Sequence, residues 1–314
     1  MLELIMGMAL SAAAPAQAAE TMTVAGPLGP LEGTYLSVGA RAPAVLIIPG
    51  SGPTDRDGNN PLGVKAAPYK LLAEALAKEG VSTVRIDKRG MFGSKGAIAD
   101  ANKVSVADYA VDVHQWVNAV RRKTGVRCVW VAGHSEGGLV ALAAAQRPSG
   151  ICGVITISAA GRHIGDVLRE QLRANPANAP ILPPALAAID TLERGGSVDA
   201  ASLPAPLAAL FNPAVQPFMR DLMRQQPTEL ASKLTVPLLI IQGDQDLQVK
   251  LSDAELLHRA QPKSELRVIT GMNHVLKIVA NDDRASNMAS YADPALPVAP
   301  AAAKAIADFV KTRR

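Results

Sequence analysis

The chain has 314 residues, 48% of them hydrophobic and 19% charged, which suffices to bury a substantial core and excludes a disordered chain or a small stapled domain; one or two domains fit this length. Lys and Arg number 32 against 28 Asp and Glu, and the net +4 is spread along the chain without a basic run, so nucleic acid is a poor partner. Aromatics, at 3%, leave few rings for stacking bases or sugars, and the two cysteines, Cys128 and Cys152, are too few for a disulfide framework and stand at no zinc-ligand spacing with histidine.

Residues 4–14 are apolar and small, and Ala16-Gln17-Ala18 has the small-x-small pattern that signal peptidase reads. Residues 1–18 are therefore expected to be a secretory signal and the mature protein to be periplasmic or secreted. The only charge ahead of the apolar run is Glu3, where such signals usually open with Lys or Arg, so the true start of the chain stays open. The run is far shorter than the ~20 residues needed to span a bilayer, and no later stretch reaches that length.

Residues 21–24 and 31–37 suggest an antiparallel start. Residues 44–48 (AVLII) are continuously apolar and end in Pro49-Gly50, as expected of a strand buried on both faces of a parallel sheet. A helix follows over 69–79, with Leu71, Leu72, Ala75 and Leu76 at helical spacing. Strand-type runs over 81–86, 126–132 and 153–158 then alternate with helices over 104–122 and 138–146. Strands over 236–242 and 265–270 and an amphipathic helix over 301–311 close the chain. This alternation predicts an α/β fold with a mostly parallel sheet covered by helices on both sides, and there is no internal repeat. It breaks once: residues 164–234 hold only helical pieces (167–174, 184–194, 214–225), which is better read as a helical cap inserted over one end of the sheet than as a loop. The core would then comprise residues 19–163 and 235–314.

The chemistry appears where a strand turns into a helix. Val129-Trp130-Val131-Ala132 runs into Gly133-His134-Ser135-Glu136-Gly137 and then a helix; this is G-x-S-x-G in the context that makes it meaningful, with the serine lifted above the strand ends on a tight turn. A serine hydroxyl needs a neighbouring base to become nucleophilic.

On this elbow the chain resembles the α/β-hydrolases, from about residue 31 to the C-terminus. The resemblance implies an α/β-hydrolase fold and a nucleophile–acid–histidine order. Gly243-Asp244-Gln245-Asp246 follows the strand after the cap, and the family's G-x-x-D spacing puts the acid at Asp246, with Asp244 as the competitor. His274, in Gly271-Met272-Asn273-His274, stands where the family carries its base. His134 should point away from Ser135, His114 and His258 lie on helical stretches, and His163 stands near the cap entrance. The oxyanion donors expected are the N–H of Glu136 and that of Ser51, with Gly52 as the alternative should the register be off by one. Pro49 stands in place of the histidine that many relatives use.

The loop 51–60 resembles a G-S-G-P-x-D-R-D-G-N signature of bacterial esterase-like members, and Asp87-Lys88-Arg89-Gly90 resembles the family's D-x-R-G-x-G-x-S turn. Both read as architectural, with Asp55, Arg56 and Asp57 as a charge-paired brace. An EF-hand reading fails because Asn60 and Ala66 stand where Gly and Glu are needed. Cys128 and Cys152 sit near the starts of neighbouring strands, as a disulfide or as two buried thiols.

The expected protein is a serine carboxylesterase with no cofactor and no metal, acting on small-molecule esters through Ser135, Asp246 and His274. The cap's Leu168, Leu172, Leu182, Leu210, Met219, Met223, Phe211 and Phe218 would favour small or medium acyl groups. The alternative is an aminopeptidase or amidase, in which cap carboxylates such as Glu170, Asp190 or Glu193 would meet a substrate amine. A non-catalytic binding protein on this scaffold fits the three candidate residues less well. Oligomeric state is not encoded legibly.

Overall fold

A computed structural model describes residues 19–280 and 283–313; the expected signal segment lies outside them. The strands are β1 (Ala19–Ala25), β2 (Pro30–Leu36), β3 (Ala44–Ile48), β4 (Ser82–Ile86), β5 (Val129–His134), β6 (Ile151–Ile157), β7 (Leu238–Gly243) and β8 (Glu265–Ile269). They form one sheet in the order β1-β2-β4-β3-β5-β6-β7-β8. The β1–β2 and β2–β4 pairs are antiparallel and all others parallel, so the antiparallel start and parallel body are both as expected. The helices are α1 (Pro68–Lys78), α2 (Val106–Thr124), α3 (Glu136–Ala144), α4 (Ile164–Ala174), α5 (Leu182–Glu193), α6 (Ala205–Leu210), α7 (Gln216–Arg224), α8 (Pro227–Ser232), α9 (Leu251–Ala260), α10 (Arg284–Ala289) and α11 (Pro300–Thr312).

The strand pleat sorts the apolar runs onto two faces. Leu46, Ile48, Val131, Val154 and Ile240 pack under α2, α3 and α9, while Val45, Ile47, Trp130, Ile155 and Ile241 pack under α1 and α11. This is why 44–48 reads as a run without alternation. Helix α2 buries Val106, Tyr109, Val113, Trp116, Val117 and Val120 along one stripe, opens on a Ser105–Asp108 capping box and closes at Gly125 with φ 72°. That left-handed cap carries the chain away from α2, so β5 begins three residues later than the apolar run suggests. Parallel pairing aligns Ile48 with Gly133, His134 with Ile157 and Gly243 with Ile269, which opens the loops after β3, β5, β7 and β8 on one edge.

The strandless segment between β6 and β7 carries its own core, built from Ala185, Ile189, Leu192, Leu207, Phe211 and Met223. Near the segment's end, Ala231 of α8 and Leu234 just after it are buried with the sheet's core instead. Cys128 and Cys152 are joined in a disulfide beside a register shift between Val129 and Trp130.

Candidate active site

Strand β5 ends at His134 and α3 begins at Glu136, so Ser135 alone reverses the chain. Its φ of 53° and ψ of −120° lie where side chains are strained by about 1–3 kcal/mol. The turn is tight enough that a Cβ on Gly133 would stand 1.9 Å from the Gly137 carbonyl oxygen. The Ser135 N–H donates to the Ile157 carbonyl at 2.9 Å, which ties the elbow to β6. Ser135 is half-buried and lines the large cavity described below.

Asp246 and His274 are buried side by side, with His274 Nδ1 donating to Asp246 Oδ2 at 2.8 Å. The other carboxylate oxygen accepts the N–H groups of Gln248 and Val249 at 2.8 and 3.0 Å. Burial alone would push the Asp246 carboxyl up, yet His274 and these two N–H donors hold it below the usual carboxylate range. The acid and histidine loops meet because Gly243 has no side chain: a Cβ there would lie 1.9 Å from the Met272 carbonyl oxygen. Asn273 anchors the histidine loop through Ser290 Oγ at 2.7 Å, and Asn287 holds the acid loop through the Gln245 carbonyl at 2.8 Å. Asp244 faces outward and accepts the Gly271 N–H at 2.7 Å. Among the described residues no hydrogen bond joins Ser135 Oγ to His274; such contacts often tighten only with substrate bound.

His134 points away from Ser135, into a relay. The Gly50 N–H donates to the Tyr69 hydroxyl at 3.0 Å, which leaves the phenolic proton for His134 Nδ1 at 2.9 Å. His134 Nε2–H then donates to the His274 carbonyl at 2.8 Å. Burial, reinforced by His274, pushes the His134 pKa down to about 3, so the ring is neutral, as this tautomer requires. The relay links the loop after β3, the elbow and the histidine loop. Nothing periodic in the sequence marks it.

Helix α3 starts at Glu136, so that residue's N–H has no partner inside the helix, and neither it nor the Ser51 N–H has an acceptor among the described residues. Buried Lys88 touches both segments, donating to the Gly50 carbonyl at 2.7 Å and to Glu136 Oε1 at 3.0 Å. The expected brace exists with different partners. Arg56 binds Asp87 and Glu32 rather than its neighbours, Asp57 pairs with Arg85, and Asp55 accepts the N–H groups of Asp57 and Asn59. The reason is that the loop lies over the end of β4, which brings Arg85 and Asp87 within reach.

Above Ser135 is a cavity of about 780 Å³ lined by Ser51, Ser135, Glu136 and Leu139 from the core and by Leu168, Phe218, Met219 and Met223 from the strandless segment. Leu210 also lines it, but Leu172, Leu182 and Phe211 do not; Phe211 is spent in the segment's own core. Glu136 is the cavity's one carboxylate among the described residues. Glu170 is bound to Arg162, and Asp190 and Glu193 to Arg169. His114, His163 and His258 bind the Ala144 carbonyl, the Met223 carbonyl and Ser264 Oγ, respectively. No group of three or more His, Cys, Asp or Glu side chains able to hold a metal occurs among the described residues, and no described helix is long and apolar enough to cross a membrane.

The sequence profile of the family described as serine aminopeptidase, S33, matches residues 62–278. Esterase EstD of Thermotoga maritima is 29% identical over 262 residues, 82% of this chain; the chain spans 57% of that relative's length. Solved structures of the same fold include Est1E from Butyrivibrio proteoclasticus with ferulic acid bound (TM-score 0.59, 18% identity, 93% of this chain and 98% of that one). The Pyrococcus furiosus esterase Pf2001 is another (TM-score 0.58, 17% identity, 94% and 93%).

Proposed function

We propose that this chain, which belongs to the serine aminopeptidase S33 family of α/β-hydrolases, is a serine carboxylesterase that works through an acyl-enzyme on Ser135. His274 takes the proton of the Ser135 hydroxyl as the oxygen attacks the ester carbonyl carbon, then returns it to the departing alcohol oxygen. A water repeats the sequence to release the acid. Asp246 fixes the His274 tautomer and stabilises the imidazolium, while the N–H groups of Glu136 and Ser51 receive the oxyanion.

The choice of ester over peptide rests on one observation: among the described residues the cavity has no carboxylate free of an ion pair. An aminopeptidase must neutralise the substrate ammonium, but Glu136 is already paired with Lys88; Glu170 is paired with Arg162, and Asp190 and Glu193 with Arg169, and none of these three carboxylates lines the cavity. The apolar wall of Ile164, Val167, Leu168, Phe218 and Leu222 suits an acyl chain, each buried methylene adding about 0.8 kcal/mol until the space is filled. A cavity of about 780 Å³ has room beyond a short acyl group, so kcat/KM for nitrophenyl esters is expected to climb from acetate to hexanoate or beyond. The test is one panel of nitrophenyl esters and aminoacyl anilides. An anilide cleaved faster than the best ester would replace the esterase reading with the aminopeptidase one. The Cys128–Cys152 bond also supports placing the protein in an oxidising compartment, periplasmic or secreted.

A further inference from the structure

Lys88 is an expensive residue to keep. It lies almost wholly buried beside Glu136, and a buried ion pair usually contributes no more stability than an apolar pair of the same volume, because two ions must leave water. Neither Lys88 nor the Glu136 carboxylate has a part in the acyl-transfer steps above, yet both line the cavity next to Ser135.

What Lys88 binds explains its presence. Its ammonium donates to the Gly50 carbonyl at 2.7 Å, and that oxygen belongs to the same planar peptide unit as the Ser51 N–H. In a trans peptide the carbonyl and the amide point in opposite directions, so a cation anchoring the oxygen aims the N–H away from it. The unit lies against the nucleophile, since a Cβ on Gly50 would stand 3.3 Å from Ser135 Cβ. A charge-assisted hydrogen bond to the carbonyl also draws electron density toward that oxygen, leaving the amide proton more positive and a stronger donor. The lysine is held in place by Glu136 Oε1 at 3.0 Å and by the Tyr109 ring, whose centroid is 5.5 Å away. Glu136 is also the residue whose backbone N–H supplies the other donor.

We propose that Lys88 is a positioning residue of the oxyanion hole: held by Glu136, it locks and polarises the Gly50–Ser51 peptide so that the Ser51 N–H meets the oxyanion formed on Ser135. The inference rests on reading Ser135 as the nucleophile and Ser51 as an oxyanion donor. No bond is made or broken by Lys88 itself, and its effect appears only as negative charge develops on the substrate oxygen.

The experiment compares wild type, Lys88→Arg, Lys88→Met and the double variant Lys88→Met/Glu136→Gln. Each is assayed with the best nitrophenyl ester and with an aryl trifluoromethyl ketone, which adds to a serine nucleophile as a tetrahedral oxyanion. Lys88→Met is expected to lower kcat about 30-fold, with KM changed less than about threefold, and to weaken the ketone by the same factor as kcat/KM. Lys88→Arg keeps the charge and should recover part of the loss. The double variant leaves no unpaired charge, so it serves as the test even where Lys88→Met folds poorly, and it should remain slow. A double variant at wild-type rate would reduce Lys88 to a counterion for Glu136 and overturn the proposal. So would a Lys88→Met kcat within about threefold of wild type, or a loss of kcat with ketone affinity unchanged. Failure of the underlying reading shows separately, as ester turnover that survives Ser135→Ala in the same assay.

Discussion

Ser135 holds its hydroxyl at a backbone conformation that glycine adopts without strain, so chemistry and stability are opposed at this position. Ser135→Ala and Ser135→Gly are both expected to abolish ester turnover. In urea unfolding the glycine variant should be the more stable of the two by about 1 kcal/mol, because relief of strain outweighs the added freedom of the unfolded chain; an alanine variant of equal or greater stability would show that the turn carries no strain. His134 gives a second prediction. Its pKa is pushed down to about 3 in the folded chain against about 6.5 unfolded, so the unfolded chain binds the extra proton between those values. Stability from this group is full above about pH 6.5 and falls on acidification by about 1.4 kcal/mol per pH unit. Urea midpoints between about pH 7 and pH 5 should therefore drop in the wild type and drop less in His134→Gln.

Among the elements, β5 has most to position, because the elbow leaves its C-terminal end and the disulfide ties its N-terminal end to β6. The Cys128–Cys152 bond closes a loop that contains the elbow and α3, with 24 residues of sequence separation and Cα atoms 5.1 Å apart. Restricting the unfolded chain over a loop of this size stabilises the fold by about 3 kcal/mol. Reduction, or the Cys128→Ser/Cys152→Ser variant, is expected to lower the unfolding free energy by that order. Room-temperature kcat should stay unchanged, since the bond lies at the opposite end of β5 from Ser135. A loss of kcat without a loss of stability would contradict this separation.

The molecule as a whole is a sheet with its two helical layers, joined to a strandless segment that has a small core of its own. The cavity above Ser135 is lined by residues of both, so the connection matters as much as either part. Arg162, at the start of the segment, donates to the fully buried Asp253 of α9 through Nε at 3.0 Å and Nη2 at 2.7 Å, and to Glu170 of α4. Arg162→Met would leave Asp253 with only the N–H groups of Gly161 and Arg162. For a pair whose arginine is partly exposed we expect a loss of about 2 kcal/mol, read by thermal unfolding, with KM rising because Arg162 lines the cavity.

The elements that could be read in advance are those whose cause is local. Residues 44–48 are a strand because every side chain is apolar and both faces are covered, and the elbow is recognisable because Gly133, Ser135 and Gly137 lie within five residues of chain. Two cysteines near adjacent strand starts are equally compatible with a disulfide or two thiols; the structure joins them beside a one-residue shift in the β5–β6 register. Asp244 and Asp246 are two residues apart in one turn, and only the approach of Gly243 to Met272 turns the second inward to His274 and the first outward to Gly271. The relay through Tyr69 and His134 and the Lys88 contact had no such signature. Their partners lie 19, 65, 140 and 38 residues apart, and a single polar side chain carries no period from which a partner so distant could be inferred. The cavity lining was divided for the same reason. Which side of a short helix meets its own neighbours and which lines the cavity depends on how the helices pack, and Leu168 and Phe211 look alike until that packing exists.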